Sequence, residues 1–157
     1  MIDYLEWLNT IEEEPELDGA GKLLAPVFAE LLYDRRVKTI YEWCCGPAWI
    51  GLWLLEQGIC QELVVSDINQ KAIDCVRRTV SRHNYPVRSY LSDNLKGIPE
   101  HEKFDIIVAN PPNYVNIQAD HPMGFLRHDL RPSDINWKIH IDFYNNIGNY
   151  MHKESDM

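Results

Sequence analysis

Phe104-Asp105-Ile106-Ile107-Val108-Ala109-Asn110-Pro111-Pro112-Asn113-Tyr114 is the stretch on which the fold turns. Its first six residues form an apolar, β-branched run of the kind that makes a buried strand. The two consecutive prolines lack N–H donors and bias the residues before them to extended backbone, so neither a helix nor a ladder continues through them. Asn110 is therefore held at the carboxyl end of a strand, where open α/β sheets bind their ligands. An asparagine amide presents both a donor and an acceptor to a planar nitrogen group, and Tyr114 can stack on that group.

Working outward, residues 37–43, 62–66 and 87–91 read as three earlier strands. Helical patterns separate them: one ends near Leu55, and a second starts at Asn69, an N-cap, and runs through Ala72, Ile73, Val76 and Val80. Strands that alternate with helices imply βαβ units and a largely parallel sheet. Before the first strand, residues 2–13 carry Ile2, Leu5, Leu8 and Ile11 at helical spacing, Pro15 ends that pattern, and residues 24–33 read as another helix. A last helix is expected from near Ser133-Asp134, with Trp137, Ile141, Tyr144 and Ile147 on one stripe, and no strand is legible after it. This gives an N-terminal helical segment, 1–36, and a core, 37–157. The fold class expected is an α/β, Rossmann-like, doubly wound and mostly parallel sheet with helices on both faces. Only four strands are readable, so the fourth is expected to have an open edge, covered by a second copy or by further polypeptide.

The chain has 157 residues, enough for one domain with a real core, and 45% of them are hydrophobic. No apolar run reaches the ~18 residues that a membrane span needs. The first residues lack the basic flank of a signal peptide, so a cytoplasmic protein is expected. The net charge of −9 would repel a phosphate backbone, which disfavours duplex nucleic acid as a partner. Cys44, Cys45, Cys60 and Cys75 show no CxxC spacing, and the six histidines show no HxxxH or HExxH spacing, so no metal is expected. His121 and His128 share the loop after the prolines with Asp120, Asp129 and Arg131, a candidate substrate-contacting segment. Trp43, Trp49 and Trp53 read as core residues.

Between the first strand and its helix lies Glu42-Trp43-Cys44-Cys45-Gly46-Pro47-Ala48-Trp49-Ile50-Gly51. Small residues at 44, 46 and 48 allow a ligand close to the backbone. Gly46 and Gly51 do not make the GxGxxG of a dinucleotide fingerprint, and Glu42 would repel phosphates while suiting a cationic amine. Asp67 ends the second strand about 20 residues further on, where an acid can take the hydroxyls of a ribose. Asp93, in Leu91-Ser92-Asp93-Asn94, ends the third strand and could accept from an adenine amino group.

With acids at three successive strand ends and Asn-Pro-Pro at the fourth, the chain resembles the class I S-adenosylmethionine-dependent methyltransferases. The resemblance is to the branch with an Asn-Pro-Pro-aromatic motif, which includes release-factor glutamine, rRNA guanine and adenine-N6 DNA methyltransferases. It covers residues 37–114, with a weaker match in the glycine-rich 18–22. It implies S-adenosylmethionine as cofactor. Glu42, Cys44, Gly46 and Ala48 would line its methionine half, Asp67 would hold the ribose, and Ile68 would pack on the adenine. Asp93 and Asn94 would meet the adenine edge, and Asn110 would face the methyl group, with Pro111, Pro112 and Tyr114 completing the catalytic set. Cys44 and Ala48 stand where the family has glycines, Asn113 stands where the aromatic usually follows, and the last strands of the seven-stranded sheet have no counterpart. The implied reaction is methyl transfer to a nitrogen of a small molecule or protein side chain, the acceptor itself being unidentified. Two alternatives stand beside it. One is a cofactor-binding module that needs a partner chain for activity. The other is an NAD-dependent oxidoreductase, disfavoured by Glu42 and the missing GxGxxG.

Overall fold

The computed structural model describes residues 2–14, 17, 19–113 and 134–156. Pro15, Tyr114, and the loop that contains His121 and His128 lie outside the described residues. The elements run α1 (Tyr4–Leu8), α2 (Gly21–Leu31), β1 (Val37–Trp43), α3 (Trp49–Glu56), β2 (Cys60–Asp67), α4 (Gln70–His83), β3 (Val87–Leu91), β4 (Phe104–Ala109), α5 (Lys138–Asn146) and β5 (Met151–Asp156). The strands form one sheet in the order β3-β2-β1-β4-β5, and every described pairing is parallel. The order reverses between β1 and β4, which creates the crevice at the strand ends where such sheets take ligands. This is the Rossmann-like α/β fold expected.

Alternation along β1 divides the core into two layers. Ile40 faces a cluster built with Trp7, Ala25, Trp49, Ile50, Leu63 and Ile73, so α1 to α4 share one side of the sheet. Tyr41 and Trp43 face the other side, where Leu95, Phe104, Ile107, Phe143 and Ile147 pack. β1 and β2 are buried on both faces over most of their length. The Asn69 cap forms as expected, its side chain accepting from the Lys71 N–H at 3.0 Å.

Three expectations are corrected. The edge of β4 is covered within the chain: β5 pairs with it through Phe104↔Met151 and Ile106↔Asp156, across a register shift. Met151-His152-Lys153-Glu154-Ser155-Asp156 escapes notice as a strand because it has no apolar alternation. Such a charged sequence suits an outermost strand. The first helix is confined to Tyr4–Leu8 and buries Trp7, with Ile11 buried beyond its end, while Leu5 is 67% exposed. The bulky indole of Trp7 sets the phase, stacked on Tyr4 and tilted against Trp53. In α5, Ile141 and Tyr144 are exposed, and Phe143 and Ile147 are the residues that reach the sheet. Phe143 decides that rotation by lying flat on Trp43, with ring centroids 3.8 Å apart and planes 10° apart.

Phe143 is thus the main anchor of α5. Phe143→Ala should destabilise the fold by about 3–5 kcal/mol, the range for a buried aromatic truncated to a methyl group. Urea unfolding measures this, and a loss below about 1 kcal/mol would show that α5 is not held to the sheet through this ring.

Candidate active site

A cavity of about 600 Å³ opens at the carboxyl ends of β1, β2 and β4, at the point where the strand order reverses. That volume falls within the roughly 300–1,000 Å³ of small-molecule sites. The wall on the sheet side comes from Glu42, Cys44, Gly46, Asp67 and Ile68, and β4 adds Asn110, Pro111 and Pro112. Gly19, Ala20 and Gly21, which lead into α2, line it as well.

The turn after β1 has a regular cause. Cys44, Gly46 and Ala48 all have positive φ, at 54°, 52° and 63°, so every second residue is left-handed. Glycine adopts that region without a Cβ penalty, whereas Cys44 and Ala48 adopt it at a cost of about 1–2 kcal/mol each. The zigzag turns the backbone N–H of Gly46 toward β2, where Asp67 Oδ2 accepts it at 2.9 Å. Asp67 Oδ1 accepts from the Asn69 N–H, also at 2.9 Å. Asp67 therefore clamps the turn after β1 to the start of α4.

Glu42 is buried, and its Oε2 accepts from the Gly51 N–H at 2.7 Å. A Cβ on Gly51 would lie 2.7 Å from that oxygen and 2.6 Å from Leu63 Cδ1, so only glycine lets α3 come this close. Burial pushes the Glu42 carboxyl up to about 8, against the relief given by the Gly51 and Ile50 N–H groups, and nearby Asp67 adds to the rise. Burial also raises Asp67. The thiols of Cys44 and Cys45 are held far above their ordinary range by burial first, and then by the Asp67 charge. At neutral pH the cavity thus holds a largely protonated Glu42 and two unreactive thiols.

Of the residues singled out from the sequence, Glu42, Cys44, Gly46, Asp67, Ile68, Asn110, Pro111 and Pro112 meet in this cavity. Ala48 is buried behind it and begins α3. Asp93 and Asn94 are not brought there. Asp93 is exposed and pairs with Lys96 at 2.6 Å. The Ser92 hydroxyl donates to Asn94 O and accepts from the Gly97 N–H, winding this turn toward α5. The Asn94 amide consequently donates to Ile139 O at 3.0 Å and to Asp142 at 2.7 Å. Missed from the sequence were Trp49, Asn69 and Asn113, all in the cavity wall. Trp49 had no distinguishing signal beside two other tryptophans.

Because its folded pKa lies above the ordinary 4.5, Glu42 favours the folded state most at low pH. That contribution is lost as pH rises from about 4.5 to about 8. Asp67 acts in the same direction. Glu42→Gln should flatten this slope and make the ligand-free protein relatively more stable at pH 8 than the parent. Chemical denaturation at pH 5 and pH 8 measures it, and an unchanged slope would show that Glu42 is ionised in the fold.

Comparison with known proteins bears on this geometry. A family model described as the methyltransferase small domain matches residues 13–124. The ribosomal RNA small subunit methyltransferase C of Actinobacillus pleuropneumoniae serotype 5b is 33% identical over 112 residues, 71% of this chain and 33% of that protein. The release factor glutamine methyltransferase of Clostridium botulinum is 29% identical over 94 residues, 58% of this chain and 33% of that protein. The chain therefore spans about a third of the length of these curated relatives. Among solved structures, the Thermus thermophilus 16S rRNA N2 G1207 methyltransferase, in complex with AdoMet and guanosine, superposes with a TM-score of 0.60 at 20% identity, covering 86% of this chain and 32% of that one. That likeness shows the shared fold. The extent of the family match, with the sheet order and the site at its switch point, makes the chain a member of the methyltransferase small domain family of class I S-adenosylmethionine-dependent methyltransferases.

Proposed function

We propose that the cavity binds S-adenosylmethionine and that the chain transfers its methyl group to a planar amino nitrogen. The observation that carries this reading is that Asn110-Pro111-Pro112 lines the same cavity as the acids Glu42 and Asp67. The cofactor supplies an already activated methyl group on a sulfonium, so no nucleophile or metal from the chain is needed for the step. The cavity fits such a molecule in the chemistry of its donors and acceptors. Glu42 would neutralise the α-ammonium. Asp67 keeps one lone pair on each oxygen beyond those taken by Gly46 and Asn69, enough to accept from two ribose hydroxyls. Ile68, 46% exposed in the cavity wall, offers an apolar surface for the adenine. Asn110 would accept from the acceptor amino group and orient its lone pair toward the methyl carbon, with Pro111 and Pro112 fixing the geometry.

The acceptor is read as an exocyclic amine of an RNA base. The relatives described as rRNA methyltransferases support this over the small molecule expected from the sequence. A side-chain amide of a protein is the second reading, favoured by the net charge of −9, which opposes a polyanionic substrate, and by the glutamine methyltransferase relative. The same amide contacts of Asn110 serve both, because guanine N2 and a carboxamide nitrogen are each planar N–H donors.

Calorimetry with S-adenosylmethionine and transfer of labelled methyl to small-subunit rRNA fragments or to glutamine-bearing peptides test the proposal. Asp67→Ala should weaken cofactor binding roughly 10- to 150-fold (about 1.5–3 kcal/mol), as for a hydrogen bond to a charged group. Asn110→Ala should leave that affinity nearly unchanged and slow transfer by about 100-fold or more. Binding at pH 7 should release a proton from Glu42, approaching one per site, as the ammonium draws its pKa down from about 8. Titration in buffers of different ionisation enthalpy reads this release, and Glu42→Gln should abolish it. No measurable affinity, or equal turnover in Asn110→Ala, would overturn the reading.

A further inference from the structure

Trp43, the last residue of β1, pairs in register with Ala109, the residue before Asn110. Its ring lies against α5, stacked on Phe143 and set edge-on to His140 with centroids 5.4 Å apart. Ala109 and Ile139 pack into the same apolar cluster. After burial and Asp67, the charge of Asp134 also raises the thiol of Cys44, a residue of the cavity wall. The start of α5 therefore stands at the ends of β1 and β4, one strand position from Asn110.

From there an aromatic row runs along the helix. Trp137, at the N-cap of α5, is followed by His140 and Tyr144 at spacings of three and four, which share one helix face. The Trp137 ring meets His140 nearly at right angles, with centroids 5.1 Å apart, and His140 lies 6.4 Å from Tyr144. Trp137 is 44% exposed and Tyr144 is 58% exposed, and Ile135 and Ile141 are exposed beside them. The row is fixed in place. Asn136 and Trp137 both have left-handed backbone, at φ 58° and 57°, a conformation costly for any residue with a Cβ. Buried Asp134 holds the segment there: its carboxylate accepts from the Ile139 N–H at 2.8 Å, the His140 N–H at 3.1 Å and the His140 ring Nδ1–H at 2.6 Å. Strain of this kind persists where its surroundings fix it, and it clusters where a ligand is held.

The charge of this surface limits what it can take. The charged side chains of α5, Lys138 and Asp142, offset each other, in a chain whose net charge is −9. Phosphate contacts, the usual source of affinity for nucleic acid, are therefore not supplied by this helix. Bare ring faces bind unpaired bases by stacking, which needs no cation. Bases within a duplex are stacked on one another and offer no free face. Resting on the RNA-base reading of the acceptor above, we propose that Trp137 and Tyr144 form a stacking platform for unpaired bases flanking the methylated one, so that the substrate is a single-stranded RNA segment. The platform supplies the affinity that the charge withholds. Neither ring lines the cofactor cavity, so the two residues select the acceptor alone.

The test measures binding of a short labelled single-stranded RNA containing all four bases, and of the same RNA annealed to its complement, to the full chain with S-adenosylhomocysteine present. The single strand should bind the parent protein roughly tenfold or more tighter than the duplex. Trp137→Ala should weaken the single strand by roughly five- to 100-fold, while Trp137→Phe, which keeps a ring face, should retain most of the affinity. Calorimetry should find the same S-adenosylhomocysteine affinity in both variants, which separates a lost platform from a lost fold. In the parent protein, the Trp137 indole resonance, assigned by its disappearance in Trp137→Phe, should move upfield under the ring current of a stacked base when the single strand is added, and stay in place with the duplex. Equal binding of single strand and duplex, or unchanged affinity in Trp137→Ala, would overturn the platform while leaving RNA as the acceptor. A parent protein that binds neither RNA but methylates glutamine-bearing peptides would overturn both.

Discussion

The hydrogen bond from the Gly51 N–H to the buried Glu42 carboxyl is the constraint from which the site follows. It joins the last turn-facing residue pair of β1 to the first turn of α3, and it requires that helix and strand meet without a side chain between them. Leu63 of β2 closes the same contact from the neighbouring strand, so the close approach is packed on all sides. A carboxyl placed there loses its water, and its pKa climbs until the neutral form dominates at pH 7. The fold thereby stores an acid that costs little while protonated and becomes a full negative charge when a cation arrives. One contact thus fixes the helix position, the shape of the cavity and its electrostatic response.

The turn beside it carries the strain that this placement demands. Three left-handed residues in alternation, at 44, 46 and 48, throw the chain back over the end of β1, and two of them carry side chains. Strained backbone persists only where its surroundings over-determine it. Here the surroundings are Asp67, which holds the Gly46 N–H, and Ser66 O, which accepts from the Cys45 N–H at 2.9 Å. Ala48 is wholly buried, so its methyl group contributes packing that offsets part of the strain. The thiol of Cys44 gains no reactivity from its position, since burial and Asp67 keep it protonated.

What was legible in the sequence was whatever a local rule could force. Two prolines end β4 wherever they fall, so Asn110 at the strand end followed from backbone chemistry. Small residues after β1 and an acid after β2 announced the cavity for a similar reason, because close approach and hydroxyl binding allow few residue types. The misses have a common physical source: each depended on a partner distant in the chain. β5 has no apolar period of its own and exists because β4 offers a free ladder. The rotation of α5 is set by Trp43, about 100 residues earlier, through its stacking on Phe143. Asn94 was set at the adenine edge by the family resemblance, and its amide is taken up by Ile139 O and Asp142 on α5, a partner some 45 residues away in the chain. Trp49 looked like any core tryptophan, and its place in the cavity wall depends on the close approach of α2 through Gly21.

The charge balance of the whole chain and that of the site pull in opposite directions, and the structure reconciles them locally. A net charge of −9 works against a polyanion at long range, yet exposed charges are screened over about 10 Å at ordinary ionic strength. Several of the acids are also spoken for. Glu12 and Glu14 pair with Arg78 and Arg82, while Glu62 and Glu102 pair with Arg88 at 2.9 and 2.7 Å. The last of these pairs lies toward the amino ends of the strands, far along the sheet from Asn110. At the cavity itself, the cofactor proposed here would set its ammonium against Glu42 and its ribose hydroxyls on Asp67. Because burial already holds Glu42 largely protonated in the empty cavity, this wall adds less negative charge than its acidic side chains suggest.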